Sequence, residues 1–489
     1  MSRPVVIVDL VVVLAIALAA CGSEQGSKRS LALADCRLPN LSTAAQCGTL
    51  AVPEDRSKPG GRKIEIFAAV LPVNTVTPKS DPLVVLAGGP GQAASTLAPF
   101  ASRLAELRRT RDVVLVDQRG TGRSSPLVCD AFKPRDTDVL EPDPLPRAKS
   151  CVDELTSKGV DLAQYTTTAW IADLEAVREA LGYERWNLWA GSYGTRVAQE
   201  YLRTHADRVR TMVLDGVAPP GMIISLDVWP TREAVLASIL KACAASQPCA
   251  KAHPDAGATL SAIERSLGEG REAEVVDPRT GQTQRVRVTF DAVLAALQPL
   301  TYAPETAVLL PEMLALAAKG EFAPLLAANP NASTRESEQT NAALHFSVTC
   351  AEDVPRITPE AEKAVLGDLP TRRLAQQTIA VCGVWPRGVV PADFAKPVAS
   401  DVPTLIFSGG MDPVTPPAYG AEVAKDLPNG RHIVAPGYGH IVSYHACGAR
   451  LIATFVEDAG IARLAPTCVS HFEKSVPPPL FPNRLAPSP

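Results

Sequence analysis

A turn of small residues around one serine most constrains what this chain can fold into. Residues 190–194 have the sequence A-G-S-Y-G; they follow an apolar run, Trp186 to Ala190, and precede a helical pattern, Thr195 to Thr204. Small residues on both sides of the serine let a strand and a helix approach without a steric clash, and the strained turn exposes the hydroxyl. The pattern predicts a nucleophile elbow at Ser192, with an ordinary strand–helix turn as the alternative.

Apolar runs around this turn predict a sheet that is covered on both faces. Continuous Val/Leu runs bounded by turns are typical of buried parallel strands, and they occur at Ile64 to Val73, Leu83 to Ala87, Val113 to Val116 and Trp186 to Ala190. Helical patterns lie between them at Leu97 to Arg109 and Trp170 to Leu181, and further strands are expected at Met212 to Leu214, Thr404 to Ser408 and His432 to Ala435. The alternation predicts a doubly wound, mostly parallel α/β sheet. Together with the predicted elbow at Ser192, it indicates the α/β-hydrolase type.

The strand signals stop in the middle of the chain. Between Pro219 and Val398 the sequence is helical and proline-containing, with one weak strand candidate at Val286 to Phe290. We therefore expect an inserted, mainly helical cap domain, with a separate linked domain as the alternative. The expected boundaries are 35–218 for the first part of the core, 219–398 for the cap, 399–476 for the second part of the core and 477–489 for a proline-rich tail.

The first residues predict an export signal. Arg3 precedes an apolar run from Val5 to Ala20, which is shorter than the roughly 20 residues of a spanning helix. The run ends in L-A-A-C-G, which resembles a bacterial lipobox and would make Cys21 the lipidated first residue, whereas a plain cleavage site is the alternative. We expect a signal peptide over 1–20, a tether over 21–34 and a protein anchored by lipid in the bacterial cell envelope, on its periplasmic or extracellular face, or else secreted.

The remaining cysteines agree with export. Of 11 cysteines, removal of Cys21 leaves an even number, and disulfides persist in oxidising compartments. Connectivity does not follow from sequence alone, but close spacing favours five neighbouring pairs: Cys36–Cys47, Cys129–Cys151, Cys243–Cys249, Cys350–Cys382 and Cys447–Cys468. No pair has C-x-x-C spacing and no histidine stands at zinc-site distance, so no metal site is expected.

Charge excludes some classes of partner. The net charge is −4 over 489 residues, and Lys and Arg are scattered without a basic stripe. We expect no nucleic-acid partner, no membrane contact beyond the lipid anchor, no cofactor, and a monomer.

A second glycine-rich turn points to an oxyanion hole. Residues 88–91 have the sequence G-G-P-G and follow the strand that ends at Ala87. In this fold one oxyanion donor comes from the residue after the nucleophile and one from this loop, and each stabilises the transition state by roughly 3 to 4 kcal/mol. The expected donors are the N–H groups of Tyr193 and Gly89, or Gly88 in place of Gly89; a tight turn alone is the alternative.

A serine needs a base, and the order along the chain in this fold is Ser, acid, His. Asp412 and His440 each follow a predicted strand directly, at the carboxyl edge where open α/β sheets place their sites. Asp215 is the rival acid, because it also ends a strand, and His445 is the rival base. After the strand Val113 to Val116, Asp117 and Arg119 are expected to pair and brace the loop.

Five motifs together resemble the prolyl aminopeptidase and tripeptidyl aminopeptidase family of α/β-hydrolase serine peptidases, in its exported tripeptidyl-aminopeptidase-like lipoprotein branch. The resemblance covers about Asp35 to Phe472 and rests on the segments 88–91, 117–124, 191–194, 410–416 and 437–440. Family members usually have His before G-G-P-G, where this chain has Ala87; this departure weakens the transfer of strict proline specificity.

The resemblance implies release of single residues or short peptides from free N-termini, with no cofactor. An anion should then hold the substrate's ammonium; Glu352, or less favourably Asp353, is the candidate, and a solvated acidic turn is the alternative. A carboxylesterase or lipase acting on small esters is the second hypothesis for the function. A catalytically inactive, surface-anchored binding protein is the third, and the intact Ser192, Asp412 and His440 argue against it.

Overall fold

The structure is a computed structural model that describes residues 30–133, 143–276, 281–327 and 340–480. The predictions for the signal peptide, for Cys21 and for most of the proline-rich tail lie outside these residues. The strands within them are β1 Ala34–Cys36, β2 Ala45–Pro53, β3 Lys63–Leu71, β4 Leu83–Leu86, β5 Val113–Val116, β6 Trp186–Gly191, β7 Val209–Asp215, β8 Arg271–Val276, β9 Thr283–Val288, β10 Thr404–Gly409 and β11 Gly430–Ala435.

A nine-stranded sheet with the order β1-β2-β3-β5-β4-β6-β7-β10-β11 forms the centre of the fold. Strands β5, β4, β6, β7, β10 and β11 run parallel, whereas β1, β2 and β3 are antiparallel to their neighbours. The prediction that Ile64 to Val73 is a parallel strand was therefore wrong in direction. Burial on both faces of a strand does not fix its direction, and a short connection lets β2 and β3 pair without a crossover.

Helices connect and cover the strands. Helix Thr167–Leu181 shows why the sequence sets the boundaries: the Thr166 side chain accepts a hydrogen bond from the Ala169 N–H, and Gly182, at φ 76°, ends the helix. The helices of the described residues are Ala98–Arg103, Leu145–Ser157, Thr167–Leu181, Tyr193–His205, Ile224–Ala245, Gln247–Ala252, Thr259–Leu267, Phe290–Leu300, Pro304–Ala307, Leu310–Ala318, Ala323–Ala327, Ala342–Glu352, Pro359–Leu366, Arg372–Ala380, Pro417–Ala424, Gly448–Asp458 and Pro466–Glu473.

The helix predicted from Leu97 to Arg109 is shorter in the structure. Only Ala98–Arg103 is α-helical, and it lies between two 3₁₀ turns, Ala94–Leu97 and Leu107–Arg109. Proline is tolerated in the first turn of a helix, so Pro99 is compatible with a start at Ala98. Leu104, at ψ 36°, leaves the helical conformation and ends it.

Both faces of the sheet are buried, as the apolar runs predicted. Alternate residues of β5 belong to two different clusters, Val114 and Val116 to one and Val113 and Leu115 to the other. Because successive side chains of a strand point to opposite faces, this division requires a covering layer on each side.

Residues 219–398, here called the insert, lie between β7 and β10 and are mainly helical. Most of their buried apolar side chains form a third cluster that is distinct from the two around the sheet. The weak strand candidate at Val286 to Phe290 overlaps β9, which pairs with β8 in an antiparallel two-stranded sheet. No helix in the described part of the chain combines the length and apolar character that a membrane span needs.

The five predicted cysteine pairs are disulfides in the structure. They join Cys36–Cys47, Cys129–Cys151, Cys243–Cys249, Cys350–Cys382 and Cys447–Cys468, with Cα–Cα distances from 5.0 to 6.0 Å. These distances lie within the usual range for disulfides. Five disulfides are typical of a protein exported from the cytoplasm.

Candidate active site

Ser192 occupies a strained turn between β6 and helix Tyr193–His205. Its backbone has φ 56° and ψ −127°, a conformation that non-glycine residues rarely adopt. A Cβ atom on Gly194 would lie 2.4 Å from the Leu86 carbonyl oxygen, so only glycine lets the helix pack this closely on β4. The Ser192 side chain does not cap the helix, which leaves its hydroxyl available.

The glycine-rich loop after β4 packs directly against this serine. A Cβ atom on Gly88 would lie 2.9 Å from Ser192 Cβ and 3.5 Å from its Oγ. The Gly88 N–H donates to Gln92 Oε1 at 3.3 Å, whereas the Tyr193 N–H has no partner within its helix because it belongs to the first turn. This arrangement favours Gly89 and Tyr193, rather than Gly88, as oxyanion donors.

Asp412 and His440 are hydrogen-bonded to each other. His440 Nδ1 lies 2.7 Å from Asp412 Oδ2, and Asp412 is 1% exposed. The N–H groups of Val414 and Thr415 donate to Asp412 Oδ1 at 2.9 and 2.8 Å. These contacts fix the carboxylate, which in turn directs Nδ1 of the imidazole inward and leaves Nε2 for another partner.

Thr415 completes the carboxylate's environment and was not singled out from the sequence. Its Oγ1 donates to Asp412 Oδ2 at 2.8 Å and lies 3.2 Å from His440 Nδ1. The signal that could have found it is its position three residues after Asp412, where a hydroxyl can fold back onto an Asx side chain.

Glycines at the strand ends bring His440 to the serine side of the sheet. A Cβ atom on Gly216, directly after β7, would lie 3.0 Å from His440 Cε1, and one on Gly191 would lie 3.3 Å from Ile441 Cδ1. Within the described residues no hydrogen bond joins Ser192 Oγ to His440 Nε2. Such bonds are often long before substrate binds, so His440 stays the candidate base for Ser192.

Asp215, the rival acid, holds a different part of the loop. Its carboxylate accepts the N–H groups of Val442 and Ser443 at 2.9 and 2.7 Å and makes no hydrogen bond to His440. Burial raises the pKa of Asp215 to about 6, although these hydrogen bonds act in the opposite direction. The structure thus brings Asp412, rather than Asp215, to the imidazole.

His445, the rival base, lies away from Asp412. Its ring packs against Tyr438, with 5.3 Å between ring centroids. No hydrogen bond connects His445 to a carboxylate among the residues with a described placement. His440 is therefore the histidine that the fold pairs with an acid at this edge.

The insert covers the site with residues that no local sequence pattern marked. The Tyr302 carbonyl accepts a hydrogen bond from the backbone N–H of His440 at 2.9 Å, and the two rings meet edge to face with 5.4 Å between their centroids. Thr231 Oγ1 donates to the Pro413 carbonyl at 2.7 Å. The His345 ring donates a hydrogen bond to the Pro90 carbonyl of the glycine-rich loop, and burial lowers the pKa of His345.

The proposed amine-binding carboxylates lie in the interior. Glu352 is 2% exposed and Asp353 is fully buried, so the alternative of a solvated acidic turn is wrong. Glu352 accepts the Thr167 N–H at 2.6 Å and its hydroxyl at 2.9 Å. Asp353 Oδ1 accepts Arg196 Nη1 at 2.9 Å, while its Oδ2 has no hydrogen-bond partner within the described chain.

Glu352 is connected to the elbow through two hydroxyl groups. Thr167 Oγ1, which donates to Glu352, lies 2.6 Å from the Tyr193 hydroxyl. Burial raises the pKa of Glu352 to about 7, and the neighbouring Arg196 partly offsets this rise. Hydrogen bonds thus link the Glu352 carboxylate to the side chain of Tyr193, the residue whose backbone N–H is a candidate oxyanion donor.

Asp117 and Arg119 do not pair, contrary to the prediction. Arg119 forms a bidentate ion pair with Asp173 at 2.6 and 2.8 Å, and Asp117 accepts the N–H groups of Ser95 and Arg123 at 2.7 and 3.0 Å. The sequence could not reveal Asp173 as the partner, because helix Thr167–Leu181 reaches this loop only in the folded chain. Both residues nonetheless brace the loop after β5.

Two family profiles match the chain. Residues 81–234 match a family described as alpha/beta hydrolase fold, and residues 370–468 match one described as TAP-like protein. The first range includes the glycine-rich loop and Ser192, and the second includes Asp412 and His440.

Individual relatives point the same way. The chain is 25% identical over 443 residues to the serine protease Hip1 of Mycobacterium tuberculosis, with 82% of each chain covered. It is 37% identical over 141 residues to a probable proline iminopeptidase of Streptomyces coelicolor, covering 29% of this chain and 34% of that one. It is also 28% identical over 224 residues to the tripeptidyl aminopeptidase of Streptomyces lividans, covering 41% of each.

Proposed function

Because this chain has the α/β-hydrolase fold and its residues 370–468 match a TAP-like family, we propose that it is a serine exopeptidase that releases N-terminal residues or short peptides. The observation that supports this most is the 2.7 Å pair of Asp412 and His440 at the sheet edge that also holds the Ser192 elbow. The TAP-like match favours a peptidase over an esterase, because one of the similar proteins is a tripeptidyl aminopeptidase.

In the proposed mechanism, His440 accepts the Ser192 proton as the hydroxyl attacks the scissile carbonyl. Asp412 orients the imidazole and stabilises its protonated form. The N–H groups of Tyr193 and Gly89 stabilise the oxyanion. His440 then donates the proton to the leaving amine, and water hydrolyses the acyl-enzyme by the same route.

Recognition of a free N-terminus requires an anion in or near the site. Glu352 and Asp353 stay candidates; Glu352 keeps free acceptor positions beside its two hydrogen bonds from Thr167, but at 2% exposure it is accessible to an ammonium only if the surrounding side chains move. If Glu352→Gln leaves the preference for free over acetylated N-termini unchanged, Glu352 does not bind the amine.

The proposed location is the bacterial cell envelope, on its periplasmic or extracellular face, with a lipid on Cys21. The five disulfides support export. The anchor rests on the lipobox-like sequence that ends at Cys21.

A fluorophosphonate probe and a peptide pool test the proposal together. We expect the purified protein to be labelled and to shorten peptides with free N-termini, with products identified by mass spectrometry. Ser192→Ala should abolish both, whereas Ser157→Ala, at an exposed helix end, should change neither. Cleavage of small esters without cleavage of any peptide would replace the proposal with an esterase, and absence of labelling would indicate an inactive binding protein.

A further inference from the structure

In the insert, the side chain of Arg232 is held by neutral partners. Its Nη1 donates to Gln298 Oε1 at 2.7 Å, and its Nη2 donates to the Tyr302 hydroxyl at 3.1 Å. The guanidinium also lies over the Trp229 ring, 5.3 Å from the centroid. These contacts fix the orientation of the group, and no residue with a described placement supplies a counter-ion for its positive charge.

Two fully buried arginines of this protein have carboxylate partners. Arg119 pairs with Asp173, and Arg196 pairs with Asp353. Arg232 has no carboxylate within ion-pair distance in the described part of the chain, and its buried Nε has no hydrogen-bond partner there. Arg232 is only partly buried, so the residue keeps contact with solvent, and the position favours an anion that arrives from outside the chain.

Arg232 lies beside the candidate active site. Tyr302, which accepts its hydrogen bond, contacts the His440 ring at 5.4 Å and accepts the His440 N–H. The preceding residue, Thr231, donates to the carbonyl next to Asp412. On the other side, the charge of Arg232 acts on His345, which touches the glycine-rich loop at Pro90.

We propose that Arg232 is an anion-binding subsite that takes a carboxylate of the peptide substrate. The inference rests on the proposed peptidase function and adds the chemical class of substrate. A guanidinium has five N–H donors, of which two are used here by Gln298 and Tyr302. The remaining N–H donors suit a carboxylate, which arginine can bind through two parallel hydrogen bonds. That carboxylate belongs either to an acidic side chain beside the cleaved bond or to the C-terminus of a short peptide.

Two pairs of matched peptides distinguish these sources. One pair differs by Glu or Gln at the residue that supplies the scissile carbonyl, and the other by a free or amidated C-terminus. Because a hydrogen bond to a charged group contributes about 1.5–3 kcal/mol, we expect wild-type kcat/KM to favour the carboxylate member of one pair by about tenfold or more. The pair that shows the preference identifies the source.

Variants link the preference to this side chain. Arg232→Gln should bring the ratio of kcat/KM within that pair close to one, and Arg232→Lys should retain part of the preference, because it keeps the charge but not the fork of donors. Arg285→Gln, which removes an exposed arginine on β9, is the matched control and should leave the ratio unchanged.

The wild-type enzyme alone can overturn the inference. Equal kcat/KM within both pairs would show that no carboxylate is recognised, whether or not the variants fold. A preference that survives Arg232→Gln would assign it to another group and also overturn the inference. Failure to cleave any of the four peptides would overturn the proposed peptidase function and this inference with it, an outcome that differs from equal cleavage.

Discussion

Two buried aspartates flank His440, and their hydrogen bonds separate their roles. Asp412 binds the imidazole directly, whereas Asp215 binds the backbone N–H groups of Val442 and Ser443 and the Ser443 side chain, in the loop that follows His440. We expect Asp412→Asn to lower kcat by about 10⁴-fold, because the amide stabilises the wrong tautomer. Asp215→Asn should instead lower the free energy of unfolding by about 1–3 kcal/mol, because an amide cannot accept both N–H groups as well.

Steady-state kinetics and urea unfolding of both variants measure the two effects. Each variant serves as the control for the other, since both remove one buried charge near the same histidine. A large loss of kcat in Asp215→Asn with unchanged stability, and little loss in Asp412→Asn, would reverse the assignment of the acid.

Glu352 gives the protein a pH-dependent contribution to stability. Its pKa, raised by burial to about 7 from an ordinary 4.5, means that the folded state holds the proton more tightly than the unfolded chain. The stabilising contribution is therefore present below pH 4.5 and is lost as the pH rises through about 7. Relative to Glu352→Gln, the wild-type free energy of unfolding should fall across this window by at most about 3 kcal/mol.

Urea unfolding at several pH values across the window tests this difference. Glu264→Gln, at an exposed position of helix Thr259–Leu267, is the control and should run parallel to wild type. A wild-type curve that also runs parallel to that of Glu352→Gln would show that the carboxylate is ionised throughout, with Arg196 as sufficient compensation.

The positions of Ser192, Asp412 and His440 at the sheet edge could be predicted because each lies in a short motif directly after a strand. A strand end fixes the position of the next few residues, so the sequence carries the geometry locally. Tyr302 and Arg232 could not be predicted in the same way. Their proximity to His440 arises from packing of the insert on the sheet edge, and nothing in their neighbouring residues encodes that contact.

At the scale of elements, the Cys350–Cys382 disulfide ties the helix that carries His345 to the end of the insert. The closed segment spans 32 residues, against 6 for Cys243–Cys249. Loop-closure entropy predicts losses of about 3.5 and about 2 kcal/mol when each pair is replaced by alanines. All four cysteines are buried, so lost packing is similar and urea unfolding should resolve the difference. Equal losses of unfolding free energy would indicate that lost packing, rather than loop-closure entropy, is the main contribution of both disulfides.

Elements also show where the sequence was insufficient. Apolar runs located the central strands correctly, because burial on both faces leaves a continuous pattern. They did not give the direction of β3, since direction depends on the connection rather than on burial. The early strands β1 and β2 were missed, because an edge region with mixed exposure lacks that pattern.

At the scale of the whole molecule, the site is assembled from distant parts of one chain. The sheet supplies the serine, acid and histidine from the ends of β6, β10 and β11, while the insert supplies the surface that faces them. The insert has its own buried cluster, which Val414 of the acid's loop joins. Movement of the insert would therefore shift the environment of Asp412 and His440 together.

The last prediction concerns where the whole molecule resides. If Cys21 is lipidated, the acyl chains should carry the protein into the detergent phase of Triton X-114, because each buried methylene contributes about 0.8 kcal/mol and two or more chains give stable anchoring. Cys21→Ala in the full chain, expressed in a bacterium that processes lipoproteins, should move the protein to the aqueous phase and leave peptidase activity intact. Ser23→Ala, two residues further on, is the control and should stay in the detergent phase. Wild-type protein found in the aqueous phase, with an N-terminus other than a modified Cys21 by mass spectrometry, would indicate plain cleavage and a secreted enzyme.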